Sequence, residues 1–197
     1  AVHAVRRVDC GPGDRVLVLG GGPIGQSVLL ALRMAGVEDV IVTDLASARR
    51  DLVERLGATA VDPGASRVSE VVDAHWRGGA DVTIDCVGVS ATLADALAAT
   101  RVGGRICLVG MGAPRIEMDA FLVSTEERTI TGSFTYTAQD FTDAAAWIAR
   151  SGDVVDELIA RVVPLGDADA AFRALSEGDA TAGKVLVRVS DEETTHD

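Results

Sequence analysis

Three glycines at a fixed spacing carry the strongest chemical signal in this sequence. Gly20, Gly22 and Gly25 stand in the pattern G-x-G-x-x-G. In such a turn the first glycine allows a tight bend, the second lets the backbone approach a pyrophosphate, and the third lets a helix pack against a strand. The N–H groups at the start of that helix bind phosphates. The spacing therefore indicates a phosphate-binding turn, with a purely structural glycine turn as the alternative.

Asp44 is the second residue whose position indicates a particular chemistry. It ends an apolar run at 40–43 and lies nineteen residues after Gly25, where the dinucleotide-binding pattern has an acid for a ribose 2′-hydroxyl. A carboxylate there repels a 2′-phosphate, so NAD is predicted over NADP. Arg49 and Arg50 lie one helical turn later and could bind a phosphate, which keeps NADP as the alternative. Asp44 could also be the N-cap of the following helix.

The surrounding sequence supplies the strands and helices that would position these residues. Apolar runs predict strands at 16–19, 40–44, 60–61, 81–87, 105–109 and 129–133. Helical patterns follow at 23–36, 46–56, 66–76 and 91–101. This alternation predicts an α/β fold of the Rossmann type, a doubly wound parallel sheet of six strands.

Glycines and small polar residues follow five of the predicted strands. They are Gly20 to Gly25, Asp44, Asp85 to Gly88, Gly110 to Gly112 and Ser133 to Tyr136. In such a sheet ligands bind at the carboxyl ends of the strands, so these segments are expected to line one crevice. The alternative is that each is an ordinary strand-to-helix turn.

The pattern changes after residue 137, which predicts a division of the chain. Residues 1–137, with a lead-in at 1–13, are predicted to form the dinucleotide-binding domain. Residues 138–189 carry helices at 139–150 and 167–177, a helical turn at 156–159, and two strand candidates at 161–163 and 184–189. Those strands are predicted to belong to a second domain built mostly elsewhere, and 190–197 is predicted to be disordered. The abrupt start suggests missing upstream sequence.

Charge and composition exclude several kinds of partner. The 197 residues carry a formal net charge of -12, whereas nucleic acids and anionic membranes favour a basic surface. No apolar run reaches the roughly 18 residues of a membrane span and no signal segment is visible, so a cytoplasmic protein is predicted. The three cysteines and three histidines show no metal-ligand spacing, and no nucleophile motif is present.

Several longer motifs resemble those of one family. They are HAVRR at 3–7, GDRVLVLGGGPIG at 13–25, VTDL at 42–45, LGA at 56–58, DCVG at 85–88, GSFTY at 132–136, VPL at 163–165, AF at 171–172 and GKV at 183–185. With them the sequence resembles the zinc-dependent medium-chain dehydrogenases, and among these the sorbitol (polyol) dehydrogenases and their butanediol and threonine relatives.

The resemblance implies an oxidoreductase that transfers a hydride from a secondary alcohol or polyol to NAD, with zinc as the Lewis acid. The zinc ligands would lie in an amino-terminal catalytic domain that has no counterpart here, and the carboxyl-terminal segment would return to that domain. The chain alone would then be inactive. The alternatives are a non-catalytic dinucleotide-binding module and, less favoured, a SAM-dependent methyltransferase.

The resemblance also implies a set of cofactor contacts, and no catalytic or metal-binding residue. The pyrophosphate would lie on Gly20, Gly22, Pro23, Ile24 and Gly25, and the adenosine would lie against Asp44 and Arg49. Val87 and Gly88 would lie along the cofactor, and the nicotinamide would be approached by the backbone of Val109, Gly110, Met111, Ser133, Phe134 and Thr135. The polyol branch usually has Arg where Thr135 stands, so the choice of sorbitol as substrate is weakened. A homo-oligomer is expected, with residues 116–133 as a dimer edge.

Overall fold

The computed structural model describes residues 1–178 and 181–190, and six of its strands form one parallel sheet. The strands are β1 (Val16–Leu19), β2 (Val40–Thr43), β3 (Thr59–Val61), β4 (Ala80–Asp85), β5 (Thr100–Leu108) and β6 (Thr129–Gly132). Their order across the sheet is β3-β2-β1-β4-β5-β6, and every neighbouring pair is parallel. This is the doubly wound order of dinucleotide-binding folds, in which the strand order reverses between the neighbouring strands β1 and β4 and ligands bind at the carboxyl ends beside that point. The predicted fold class is confirmed.

Helices cover both faces of the sheet. They are α1 (Val2–Arg7), α2 (Pro23–Met34), α3 (Ser47–Arg55), α4 (Val68–His75), α5 (Ser90–Ala99), α6 (Ala120–Ser124), α7 (Ala138–Ile148) and α8 (Ala168–Ser176), with 3-10 turns at Gly152–Leu158 and Leu165–Asp167. Among the residues described, none of these helices has both the length and the apolar character needed to cross a membrane.

The central strand β1 shows why its sequence is wholly apolar. Its four side chains are at most 1% exposed. Val16 and Val18 pack with α1, α2 and α3 on one face, while Leu17 and Leu19 pack with α4 and α5 on the other. Because successive side chains of a strand point to opposite faces, a strand covered on both sides has no polar position.

Strand β5 begins earlier than the sequence predicts. The predicted helix at 91–101 ends at Ala99, and the strand runs from Thr100 through Gly103 and Gly104. Gly103 has a φ of +67°, and the pairing of β4 with β5 shifts register between Ala80 and Val82. The two glycines therefore form an irregularity inside the strand and do not end the element.

The carboxyl-terminal strands pair with each other. β7 (Ile159–Pro164) and β8 (Lys184–Arg188) form a separate two-stranded parallel sheet. Their assignment to a second domain stays a prediction. Of the tail predicted to be disordered, residues 191–197 lie outside the described residues.

Helix α1 is held to α7 by a group of polar side chains. His3 Nδ1 and Arg6 Nη1 each lie 2.8 Å from a carboxylate oxygen of Asp140, and Thr137 donates to the same carboxylate. His3 therefore serves the junction between α1 and α7. The Thr137 hydroxyl and backbone N–H, together with Arg6 and His3, hold the pKa of Asp140 well below its usual range.

Candidate functional site

The carboxyl ends of the strands meet as predicted. The backbone N–H of Gly21, after β1, donates to Asp44 Oδ2, after β2, at 2.9 Å. After β4, the turn at 85–88 contacts both neighbouring turns, since a Cβ on Gly20 would lie 2.7 Å from Val87 Cγ2, and Ala113 N donates to Gly88 O at 3.0 Å. At the far side, Ser133 N donates to Leu108 O at 3.0 Å. The turns after β1, β2, β4, β5 and β6 thus lie along one edge.

The reason for a glycine differs among the three positions of the turn. Gly20 has a φ of +94°, and a Cβ on Gly25 would overlap the carbonyl oxygen of Gly20. Both are needed for the strand-to-helix packing itself. A Cβ on Gly22 would meet only the Arg49 side chain, with Nη1 at 3.8 Å. The space beside Gly22 is therefore open, and the fold does not explain why this residue lacks a side chain.

The start of α2 offers unpaired donors next to that open space. Gly22 is the N-cap and has no side chain to cap the helix, and Pro23 follows as the first helical residue. The N–H groups of a first helical turn have no acceptor within the helix, and they give that end a partial positive charge. Pro23 takes the position where a missing N–H costs nothing. Ile24, which follows, is 51% exposed at the mouth of the turn.

Asp44 connects the first two turns and is held in place by backbone donors. Its Oδ2 accepts the Gly21 N–H at 2.9 Å, and its Oδ1 accepts the Ala46 N–H at 2.8 Å. The side chain is only 9% exposed. The N-cap of α3 is Ala46, so the interpretation of Asp44 as that N-cap is wrong. Asp44 instead closes a turn just before the helix and presents a fixed carboxylate beside the glycines.

The neighbouring arginines Arg49 and Arg50 have different surroundings. Arg49 Nη1 lies 3.6 Å from Asp44 Oδ2, and its Nε is buried with no hydrogen-bond partner in the part of the chain that the structure describes. Arg50 donates to the carbonyl oxygens of Asp44 and Leu45 and pairs with Asp62. Of the two cations that the sequence offered to a phosphate, Arg50 is thus engaged by the protein.

The backbones of the turns after β4 and β5 touch directly. Gly88 has a φ of +77°, and a Cβ on it would overlap the carbonyl group of Gly110. A Cβ on Gly110 would in turn overlap the backbone of Val87. Val87 itself is 36% exposed and Met111 is 79% exposed, and both lie at these strand ends. The two turns therefore close against each other and leave apolar side chains facing outward.

The turn after β6 carries an unusual backbone conformation. Thr135 has a φ of +56°, which is rare for a β-branched residue. Its hydroxyl donates to the Phe134 carbonyl oxygen at 2.7 Å, and Phe134 is 72% exposed. Val109 N donates to Asp85 O at 2.9 Å, which keeps the end of β5 next to the end of β4. The residues predicted for the nicotinamide end thus come from adjacent strands, and their contacts with a cofactor stay a prediction.

The thiols and the metal-ligand side chains form no further centre in the part described. Burial raises the pKa of Cys10 to about 12 and that of Cys107 to about 11, so both are protonated at neutral pH. Burial also raises the pKa of Cys86. Across residues 1–178 and 181–190, no three His, Cys, Asp or Glu side chains come together in a way that could hold a metal ion.

Comparison with known proteins assigns the chain to a family. The profile of the family described as "Zinc-binding dehydrogenase" matches residues 23–150, more than half of the sequence. The chain belongs to the zinc-binding dehydrogenase family. The resemblance drawn from the sequence motifs is thereby confirmed, and the methyltransferase alternative is not favoured.

Several relatives of this chain are dehydrogenases or reductases by name. Sorbitol dehydrogenase of Arabidopsis thaliana is 37% identical over 142 residues, 68% of this chain and 39% of that protein. Probable D-xylulose reductase A of Aspergillus clavatus is 32% identical over 185 residues, 90% of this chain and 51% of that protein. The crystal structure of 2R,3R-butanediol dehydrogenase from Bacillus subtilis superposes with a TM-score of 0.86 at 29% identity, covering 96% of this chain and 55% of that one. The chain thus spans about half or less of the length of these relatives.

The structural role of Asp85, which ends β4, was not predicted from sequence. Asp85 is fully buried, and its Oδ1 accepts the N–H groups of Val87 and Gly88 at 2.9 Å each. Its Oδ2 accepts the Thr92 hydroxyl at 2.9 Å. Asp85 therefore shapes the turn that brings Gly88 against Gly110. The available signal was an acid at the end of an apolar strand with a hydroxyl residue seven positions later.

Proposed function

We propose that the crevice at the carboxyl ends of the strands binds NAD(H), and that the chain is the cofactor-binding part of a zinc-type alcohol or polyol dehydrogenase. The observation that carries the proposal is the Asp44 carboxylate, held by Gly21 N–H beside the open space at Gly22. The family and the names of the relatives support it. Because the chain covers only part of those relatives, the activity belongs to a longer parent enzyme.

The residues present fit an adenine dinucleotide. The open side of Gly22 and the free donors at the start of α2 suit a pyrophosphate. Arg49 places a guanidinium group beside that space, since its Nη1 would lie 3.8 Å from a Cβ on Gly22. Asp44 would accept the hydroxyl groups of the adenosine ribose. Gly20, Pro23, Ile24 and Gly25 complete the turn.

The remaining predicted contacts extend the site across the sheet. Val87 and Gly88 would lie along the cofactor, and the nicotinamide end would lie against residues from β5 and β6. These are Val109, Gly110, Met111, Ser133, Phe134 and Thr135. Bound NAD supplies a hydride acceptor at this end. The described part of this chain offers no set of zinc ligands, so zinc is assigned to no residue here.

Asp44 also accounts for the proposed choice of NAD over NADP. Two N–H donors fix its carboxylate where a 2′-hydroxyl can donate to it and a 2′-phosphate is repelled. Arg50, one of the two cations that could offset that repulsion, is already bound to two carbonyl oxygens and Asp62. Arg49 attracts the phosphates of both dinucleotides.

A calorimetric titration of the chain with NAD and NADP tests the proposal. We expect NAD to bind at least about ten-fold more tightly, and Asp44→Ala to abolish most of that preference. The matched control is Asp51→Ala, which removes the same charge from an exposed site on α3. Failure of the folded wild-type chain to bind either dinucleotide would refute the assignment of the site. An unchanged preference in Asp44→Ala would refute the role of Asp44.

We also propose that the chain assembles as a homo-oligomer through the edge of the sheet. β6 is an edge strand, and its ends Thr129 and Gly132 are exposed. An exposed edge presents unpaired N–H and C=O groups that can pair with a second strand. Nearby, Met118 is 50% exposed and Phe121 is 78% exposed, which gives the edge an apolar border.

A further inference from the structure

A single arginine joins the ends of β2 and β3. Arg50 Nη1 donates to the carbonyl oxygens of Asp44 and Leu45, at 2.8 Å each. Its Nη2 lies 3.1 Å from Asp62 Oδ2, just after β3. The Arg50 side chain is 21% exposed and that of Asp62 is 34% exposed. One guanidinium thus binds two successive carbonyl groups and a carboxylate.

These bonds fix the backbone that carries the Asp44 carboxylate. The Asp44 carboxylate accepts hydrogen bonds from the N–H groups of Gly21 and Ala46. Arg50 donates a further hydrogen bond to the backbone carbonyl oxygen of Asp44. Asp62 is itself held, since its Oδ1 accepts the Gly64 N–H at 2.9 Å. A continuous path of hydrogen bonds therefore runs from the glycine turn through Asp44 and Arg50 to the end of β3.

The arrangement also removes Arg50 from competition for phosphate. Its charge is paired with Asp62, and its Nη1 is shared by two carbonyl oxygens. The adjacent Arg49 differs, because its Nε has no partner within the described residues. A guanidinium bound in this way offers little to a 2′-phosphate unless the pair with Asp62 is broken.

We propose that Arg50, paired with Asp62, is a positioning residue for cofactor selection. It holds the Asp44 carboxylate in the place where that carboxylate accepts a ribose hydroxyl and repels a 2′-phosphate. The inference rests on the proposed function. It makes NAD selection depend on the pair of Arg50 and Asp62 in addition to the glycine turn and Asp44. Selectivity for NAD then depends on a contact between the β2 and β3 ends as well as on the acid itself.

Titration of Arg50→Ala with NAD and NADP tests this role. We expect the Kd for NAD to rise about ten-fold and the ratio of the two affinities to fall at least about three-fold, because the carboxylate loses its fixed position. A merely structural role would weaken both dinucleotides alike and leave the ratio unchanged, and that outcome would overturn the proposal. Arg50→Lys keeps the charge beside Asp62 but cannot reproduce the planar fork, so it should restore only part of the ratio.

The matched control lies on the same helix. Arg55 is 59% exposed, and its nearest carboxylate, Glu157, lies 3.8 Å away. Arg55→Ala removes the same side chain from α3 without touching the path described, so both affinities should stay at the wild-type values. If Arg55→Ala changes the ratio of the NAD and NADP affinities as much as Arg50→Ala does, the effect comes from net charge. That result would contradict the positioning role.

A second variant keeps the test decisive even if Arg50→Ala does not fold. Asp62→Asn leaves the two carbonyl bonds of Arg50 but removes the charge that neutralises it. We expect NADP to bind about three-fold more tightly, because the Arg50 charge is then free to offset the repulsion of the 2′-phosphate. Unchanged NADP binding in Asp62→Asn would overturn the pairing. Loss of all binding by the wild type would instead refute the proposed function, so the two failures are distinguishable.

Discussion

At the scale of single residues, the glycine turn separates structural from binding requirements. Gly25 cannot carry a Cβ without overlap with the Gly20 carbonyl oxygen, whereas a Cβ on Gly22 would enter open space beside Arg49. The same residue type thus serves the packing of α2 on β1 at one position and leaves room for a ligand at another. The spacing of the motif does not show this difference; it emerges from the distances around each glycine.

Gly22→Ala and Gly25→Ala should therefore fail in different ways. We expect Gly22→Ala to keep the wild-type melting temperature within about 2 °C and to weaken NAD at least about ten-fold, because the methyl group occupies the space for the pyrophosphate. Gly25→Ala should lower the melting temperature by about 6 °C or more, because backbone must move. Differential scanning fluorimetry and calorimetric titration measure the two effects. Wild-type NAD affinity in a folded Gly22→Ala would contradict the phosphate role.

At the scale of elements, the sequence predicts the six strands of the sheet but does not predict the register shift within β5. The four apolar residues of β1 and the glycine turn after it identify a buried strand and its helix without ambiguity. The strand predicted at 105–109 excludes Gly103 and Gly104, although both lie inside β5, because only the pairing with β4 shows that the strand continues through them. The ion pair between Arg50 and Asp62 was not predicted either, since it joins a residue of α3 to the loop after β3, twelve positions later.

The edge strand allows a direct test of assembly. Thr131 is flanked by residues whose N–H groups face away from β5, because Ser133 N donates to Leu108 O and N–H directions alternate along a strand. Gly132→Pro removes one outward N–H, while Gly132→Ala keeps it, and a Cβ there meets nothing within 4 Å. We expect light scattering after size exclusion to show an oligomer for wild type and Gly132→Ala and a smaller species for Gly132→Pro. The same mass for all three would argue against pairing at this edge.

At the scale of the whole molecule, buried and half-buried carboxylates hold distant segments together. Asp81 receives hydrogen bonds from Arg15 and from Arg101, which brings the starts of β1, β4 and β5 together. The Arg15 guanidinium, with its backbone N–H and the Arg101 side chain, holds the pKa of Asp81 well below its usual range. Asp140 joins α1 to α7 in the same way, by accepting hydrogen bonds from Arg6 and Thr137. The stability of the chain at neutral pH therefore includes contributions that require ionised carboxylates.

This arrangement predicts acid sensitivity. A carboxyl group with a lowered pKa in the folded state stabilises the fold above its unfolded value, about 3.9, and loses that contribution as the pH falls towards the folded value. Asp81→Asn should lower the melting temperature at pH 7 by about 2–4 °C and reduce its fall between pH 5 and about 2. Asp169→Asn is the control, because Asp169 and Arg173 form an exposed pair. Parallel pH profiles for wild type and Asp81→Asn would contradict the prediction.

The contact between Gly88 and Gly110 has a consequence for how this family can diverge. Compensatory substitution relieves a clash by shrinking one partner when the other grows, but here both partners already have the smallest side chain. A mutation at either position therefore finds no rescuing mutation at the other. Variation must enter through neighbouring side chains such as that of Met111, which is 79% exposed and can change size without meeting either glycine. We therefore expect Gly88 and Gly110 to be retained together in related sequences, while the exposed residues of the two turns vary.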